Sequence, residues 1–238
     1  MLSTFEIEPS APQRGTVIWM HGLGASNHDF DEIVPELQAP FLRFVFPAAP
    51  VRPVTINGGM PMPAWYDILS FDDPPLRENE DDVRHAEREL FALIERERQR
   101  GVPPSQVLLA GFSQGGAMAL HVGLRAPEAL AGVLSLSAYL LLPQRFDAER
   151  TPASRAAPVW FGHGRFDPVV PLGLGKGAHD RLQQAGYTTT WSVFDMQHSL
   201  CLQEVRLVAS WLAERFPAWD SQERLAAAQA SRSERTRE

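Results

Sequence analysis

Short apolar runs alternate with longer stretches of helical spacing along most of the chain. Thr16-Val17-Ile18-Trp19-Met20 is apolar and rich in β-branched and aromatic residues, and it stops at Gly22 and Gly24. That pattern predicts a buried strand entering a loop. Phe41 to Phe46 (closed by Pro47), Val107 to Phe112, Gly132 to Leu136, Pro158 to Gly162 and Thr188 to Phe194 predict further strands. Their near-continuous hydrophobicity, in place of alternation, implies strands covered on both faces. Between them the period becomes helical. Val83, Ala86, Leu90, Leu93 and Ile94 share one helix face. Glu78, Glu80, Asp81 and Asp82 crowd the start of that helix and Arg96, Arg98 and Arg100 its end, as the helix dipole favours. Gly101 and Pro103 stop it. Gly116 to Leu124, Gly175 to Gln184 and Gln203 to Arg215 predict further helices. The alternation implies an α/β fold with a mostly parallel central sheet and helices on both faces.

The chain has 238 residues, 44% of them hydrophobic, which is enough for one sizeable core. No repeat or low-complexity linker divides it, so residues 1–216 are expected to form a single domain. Beyond Pro217 the character changes: Arg224 to Ala230 has the composition of a short helix, and Ser231 to Glu238 is entirely polar. Residues 217–238 are therefore expected to be a polar tail, partly helical or disordered. Twenty-two Lys and Arg against twenty-nine Asp and Glu leave a net charge of −7. Such a surface repels phosphate backbones and anionic lipid heads, which argues against nucleic acid as a partner. No apolar run approaches the roughly 20 residues of a membrane span, and the N-terminus lacks the features of a secretory signal. The single cysteine, Cys201, has no internal disulfide partner. A cytoplasmic protein without integral membrane association is expected, with a homodimer left open.

Candidate chemistry begins at Gly111-Phe112-Ser113-Gln114-Gly115, a G-x-S-x-G pattern. By chance it occurs in about one chain in twelve of this length, so its setting decides. A strand-like run precedes it, and a helix-like run with small residues follows it. Strand–turn–helix is what the motif requires, because the turn lifts the serine hydroxyl above the sheet and leaves no room for side chains two positions away.

A serine hydroxyl is a poor nucleophile near neutral pH and needs a base held in one tautomer. In this type of site the chain order is Ser, then Asp or Glu, then His. Of the histidines after Ser113, His179 falls inside a helix and reads as a packed or solvated helix residue. His163, in Gly162-His163-Gly164, is expected to shape the neighbouring loop. His198 sits between the last strand and the last helix, where catalytic groups of open α/β sheets gather, and is the expected base. Asp167, in Gly164-Arg165-Phe166-Asp167-Pro168, lies at a strand end between nucleophile and base and is the expected orienter. Asp180, in a helix, and Asp195, on a strand, are weaker rivals. An oxyanion needs fixed donors. The backbone N–H of Gln114 supplies one, and the turn His21-Gly22-Leu23-Gly24 after the first predicted strand supplies the other, assigned to Leu23.

Together these elements resemble the carboxylesterase / acyl-protein thioesterase (phospholipase/carboxylesterase) family of α/β-hydrolases. The similarity runs from about Gly15 to Phe216. It is carried by His21-Gly22-Leu23-Gly24, Phe46-Pro47-Ala48-Ala49-Pro50, Met60-Pro61-Met62-Pro63-Ala64-Trp65-Tyr66-Asp67, Gly111-Phe112-Ser113-Gln114-Gly115-Gly116, the Gly162 to Pro171 block and His198-Ser199. The resemblance implies an α/β-hydrolase catalytic domain with Ser113, Asp167 and His198 as triad and Leu23 and Gln114 as oxyanion donors. It also implies that Trp65 lines the acyl pocket. Glu80-Asp81-Asp82-Val83 lacks a glycine that members often carry there, and Leu202 follows Cys201 where proline is usual.

Only about twenty residues, Ala138 to Ala157, separate two of the predicted strands where many members of this fold insert a lid. No lid domain is expected, and the site should be open and active without interfacial activation. Leu140, Leu141 and Leu142 either extend the core or flank an acyl channel with Leu69 and Phe71. The channel reading favours carboxylic esters of short to medium acyl chain as substrates. Acyl-protein thioesters or lysophospholipids are the alternative, cleaved by the same triad. A non-catalytic binding protein on this scaffold is the remote alternative, and such proteins typically lose a triad member. No metal or other cofactor is expected: no histidine pair has H-E-x-x-H spacing, and Cys201 is not at the elbow.

Overall fold

The computed structural model describes residues 2–70 and 77–217. In chain order, strands β1 (Thr4–Ile7), β2 (Gly15–Met20) and β3 (Leu42–Pro47) precede two ribbons. These are β4 (Val51–Val54) with β5 (Met60–Pro63), and β6 (Ile68–Ser70) with β7 (Arg77–Glu78). Then follow α1 (Glu80–Gln99), β8 (Val107–Phe112), α2 (Gln114–Arg125), β9 (Gly132–Leu136), the one-turn α3 (Phe146–Glu149), β10 (Val159–Gly164), α4 (Leu172–Gln184), β11 (Thr189–Phe194) and α5 (Leu202–Arg215). The central sheet has seven strands in the order β1-β3-β2-β8-β9-β10-β11. All its pairs are parallel except β1 with β3. The expected α/β fold is what the chain adopts.

Each inner strand sends alternate side chains to opposite faces, and both faces are buried. Ile18, Met20, Val107, Leu109, Val159 and Phe161 pack with residues of α1, α2 and α4. Val17, Trp19, Leu108, Ala110, Leu134 and Trp160 pack with Leu37 and with Val205, Val208 and Trp211 of α5. Two covered faces explain why these strands read as continuous apolar runs.

The sequence pattern gave no sign of β1 or of the two ribbons. β1 is a short antiparallel edge, half-buried throughout. The β4–β5 ribbon carries Pro53, Pro61 and Pro63, which lack the N–H of a central ladder and restrict such strands to edges. The linker between β9 and β10 holds only α3 and single 3-10 turns at Pro143–Arg145 and Ala153–Ala156, so no lid domain is inserted there. Leu140, Leu141 and Leu142 are all buried in the core on the α2 face. Among the described residues no helix is long and apolar enough to cross a membrane. Phe71 and the tail from residue 218 onward, with its expected short helix at Arg224 to Ala230, lie outside the described residues.

Two buried carboxyl groups anchor helices to the sheet. Glu97, near the end of α1 and fully buried, accepts hydrogen bonds from Arg43 Nη1 (2.9 Å) and Thr16 Oγ1 (2.9 Å). It thereby ties α1 to β2 and β3 at their starts. Glu204, in the first turn of α5, is equally buried, but neither of its oxygens has a partner. Its Oε1 fills the space above Gly162, where a Cβ would come within 2.0 Å of it. Burial without a partner pushes this carboxyl up to about 8.

Removing one member of a buried ion pair leaves an uncompensated charge and typically costs about 3–5 kcal/mol. Glu97→Ala should lower the unfolding free energy by that order in a urea titration. Glu204 carries the opposite dependence from a paired carboxylate. Its folded value lies above its ordinary value of 4.5, so its stabilisation is complete below 4.5 and is lost as pH rises through about 8. Glu204→Gln keeps the shape and removes that loss. Relative to the wild type, its melting temperature should rise between pH 5 and pH 8.5, and a pH-independent difference would contradict the assignment.

Candidate active site

In the sheet, β3 lies on one side of β2 and β8 on the other. The chain therefore leaves β2 and β8 in opposite directions, and the crevice beyond their ends is where ligands of open α/β sheets bind. Ser113 follows β8 there, and the His21–Gly24 turn follows β2.

Ser113 has φ 55° and ψ −121°, a conformation rarely adopted by a residue with a side chain. The surrounding glycines explain how it is held. A Cβ on Gly111 would lie 2.3 Å from the carbonyl carbon of Gly115, and one on Gly115 would lie 2.2 Å from the carbonyl oxygen of Met20. Ser113 N–H donates to Leu136 O (2.8 Å), which fastens the turn to β9. Gln114 is the first residue of α2, so its backbone N–H has no acceptor within the helix.

Asp167 and His198 come to this turn from the ends of β10 and β11. Ser113 Oγ lies 2.9 Å from His198 Nε2, and His198 Nδ1 lies 2.7 Å from Asp167 Oδ2. A carboxylate only accepts, so Nδ1 carries the proton and Nε2 faces the serine as acceptor. Asp167 Oδ1 accepts the N–H groups of Val169 (2.9 Å) and Val170 (2.8 Å). Pro168, between Asp167 and these two residues, has no N–H, and the turn it makes delivers both donors to one oxygen. The Asp167 side chain is fully buried, and the imidazole of His198 packs against Phe112 with ring centroids 4.7 Å apart.

The Gly162-His163-Gly164 segment is explained by what crosses it. Glu204 occupies the space above Gly162, and the backbone of the His198 loop passes over Gly164, where a Cβ would come within 2.2 Å of Gln197 O. His163 points to the opposite face, and its Nε2–H donates to Val170 O (2.8 Å). It is fully buried, with its pKa lowered by desolvation. It shapes the acid loop, as its position suggested. His179 packs against Phe161 and Trp191 in α4, and Asp180 pairs with Lys176. Asp195 lies just past β11, exposed and paired with Arg165. None of these three joins the Ser113–His198–Asp167 chain.

The Leu23 turn is pinned on both sides. Gly24 N–H donates to Pro63 O (2.8 Å) at the end of the β4–β5 ribbon, and His21 Nδ1–H donates to Gly22 O (2.7 Å). Ala49 N–H donates to His21 Nε2 (3.1 Å), so both ring nitrogens are used by the neutral imidazole. Desolvation lowers the His21 pKa accordingly.

Trp65 is fully buried, and its indole N–H donates to His21 O (2.8 Å), underneath the turn. The Gln114 side chain accepts from Trp65 N–H (2.7 Å) and donates to Tyr66 O (2.8 Å). The structure thus makes Trp65 a brace between the Leu23 turn and the serine turn, with no surface on an open pocket. Leu140 is buried in the core, while Leu69 is 41% exposed on β6. Sequence reasoning missed the clamp by the Gln114 side chain. Its signal was a lone polar residue at the head of an apolar helix.

A cavity of about 450 Å³ opens onto Ser113 and His198. Its further walls are Phe30, Ile33, Phe112 and Leu200, with Asp29 as its carboxylate. None of the last five was singled out from the sequence, because they converge only through the fold.

Comparison with known proteins agrees with the geometry. Residues 3–215 match the family described as Phospholipase/Carboxylesterase. The chain is 38% identical over 219 residues to acyl-protein thioesterase 1 of Neurospora crassa, covering 87% of this chain and 89% of that protein. Among solved structures it is similar to Arabidopsis thaliana SOBER1, with TM-score 0.81, 28% identity and coverage of 85% and 99% of the two chains. It also shares the fold of Zea mays acyl-protein thioesterase 2, with TM-score 0.79, 23% identity and coverage of 91% and 100%. A seven-stranded α/β sheet with Ser113 at its switch point, together with a match over residues 3–215, establishes that the chain belongs to the phospholipase/carboxylesterase family of α/β-hydrolases.

Proposed function

We propose that the chain hydrolyses acyl thioesters and esters through an acyl-enzyme on Ser113. The observation that carries this reading is the continuous chain from Ser113 Oγ through His198 to the buried Asp167, at 2.9 and 2.7 Å. Ser113 Oγ attacks the acyl carbon while its proton passes to His198 Nε2. The carbonyl oxygen becomes an oxyanion and takes hydrogen bonds from the backbone N–H groups of Leu23 and Gln114. As the intermediate collapses, the bond from carbon to the leaving sulfur or oxygen breaks, and His198 returns the proton to the leaving atom. Water then attacks the acyl-serine with His198 again taking a proton. This releases the carboxylic acid and restores Ser113.

The names of the relatives favour an acylated protein thiol over the small carboxylic ester that the sequence reading placed first. Simple carboxylic esters remain substrates of the same machinery, since nothing in the attack on the acyl carbon depends on the leaving atom. The wild type should label with a fluorophosphonate, and Ser113→Ala should not. On an S-palmitoylated peptide and on p-nitrophenyl butyrate, Asp167→Asn should lower kcat on the order of 10⁴-fold through loss of the correct tautomer. Turnover of the ester with none of the thioester would reject the thioesterase reading. Equal labelling of Ser113→Ala would reject the nucleophile.

Gln114→Ala leaves the backbone N–H of Trp65 and the carbonyl of Tyr66 buried without partners, at about 1–3 kcal/mol for each group. It should lower the melting temperature and also kcat, because the same side chain fixes the N–H that faces the oxyanion. An active, fully stable Gln114→Ala enzyme would remove the clamp from the mechanism.

A further inference from the structure

We infer that the cavity walled by Phe30, Ile33, Phe112 and Leu200 is the subsite for the leaving group, and that it takes an apolar, ring-sized alcohol or thiol without negative charge. The inference rests on the acyl-enzyme reading and adds a direction to it. The atom that leaves must lie at His198 Nε2, because that nitrogen returns its proton. Phe112 packs on the same imidazole at 4.7 Å, and Leu200 is two residues beyond it. A substituent on the leaving atom therefore continues past the imidazole into the cavity of about 450 Å³ that these residues share with Phe30 and Ile33.

Most of the apolar wall of this subsite lies on one face of the sheet. Phe30, Ile33, Phe112 and Leu200 belong to the hydrophobic cluster of the α5 face, whereas Leu140 belongs to the cluster of the α2 face. Ile33, Phe112 and Leu200 are only half-buried, leaving apolar surface for an occupant to cover. Asp29 sets the charge preference. Ser26 donates to its Oδ1 from both N–H and Oγ, each at 3.0 Å, which holds the carboxylate on the cavity wall. A second anion there would meet like-charge repulsion from this carboxylate.

Methyl, benzyl and 4-carboxybenzyl esters of one short-chain acid test the assignment, because they share the acyl group and their alcohols leave with similar ease. Wild-type kcat/KM should rank benzyl above methyl, and 4-carboxybenzyl well below benzyl. Ile33→Trp fills the cavity and should reduce the benzyl-to-methyl ratio about tenfold or more, the scale of discrimination that shape complementarity supplies. Leu200→Trp should do the same from the facing wall, and Asp29→Asn should raise the 4-carboxybenzyl-to-benzyl ratio. If all three esters change in parallel, or if Ile33→Trp instead reshapes the acyl-chain profile of methyl esters, the cavity is not the leaving-group subsite. A wild type that cleaves none of these esters and takes no fluorophosphonate label would overturn the hydrolase reading, and the subsite with it.

Discussion

At the junction of β2 and β8 two backbone segments come so close that no side chain fits between them. A Cβ on Gly115 would meet the Met20 carbonyl oxygen at 2.2 Å, and the strands themselves pair Met20 with Gly111. Bringing the head of α2 this near to the end of β2 forces Ser113 into its strained conformation. The same approach sets the N–H of Gln114 at a helix start with no helical acceptor. The strain at Ser113 costs on the order of 1–3 kcal/mol and persists because its surroundings over-determine it. Leu136 O takes its N–H, and Trp65 and Tyr66 hold the next side chain from both ends. Once this junction is set, the loops after β10 and β11 need only reach across one and two intervening strands to complete the chain of hydrogen bonds.

The parts of the fold that were legible in the sequence are those whose signal is local. Strands covered on both faces must be apolar nearly throughout, so β2, β3, β8, β9 and β10 showed as runs bounded close to where they end. The hydrogen-bonded chain of Ser113, His198 and Asp167 showed because chain order and loop position constrain it, even though Ser113 and His198 are 85 residues apart. The proline-bearing ribbon gave no such signal. β4 and β5 satisfy their few ladder bonds around prolines and carry exposed side chains such as Val51 and Met60, so neither periodicity nor propensity marks them. Yet the end of that ribbon holds Gly24, and with it the Leu23 turn. Trp65 illustrates the reverse case: family resemblance placed it on the wall of an acyl pocket, whereas the fold buries it beneath the Leu23 turn with its indole N–H on His21 O.

The cavity beside His198 and the buried Glu204 were invisible for one shared reason. Each depends on segments that meet only in the fold: the chain after β2 against the His198 loop for the cavity, and α5 over β10 for Glu204. Gly162 and Gly164 are small because Glu204 and the backbone of Gln197 pass over them, and the pattern Gly-His-Gly does not say what lies above it. Read with the structure, the same tripeptide carries α5 and the His198 loop on one face while it directs His163 to brace the acid loop on the other. One strand end thereby fixes the distance between Asp167 and His198.

Three buried titratable groups near the Ser113–His198–Asp167 chain, His21, His163 and Glu204, are kept neutral. Burial lowers the pKa of His21 and of His163, and in each ring at least one nitrogen is committed to backbone. Burial raises Glu204 to about 8, so near neutral pH it stands as the uncharged acid behind β10. Any of these in its charged form would add a field of either sign close to the serine, in surroundings where screening by water is weak. With them neutral, the Asp167 carboxylate, satisfied by three donors, is the fixed charge that the imidazole of His198 meets. The scaffold around that pair contributes shape and the backbone N–H groups of Val169 and Val170.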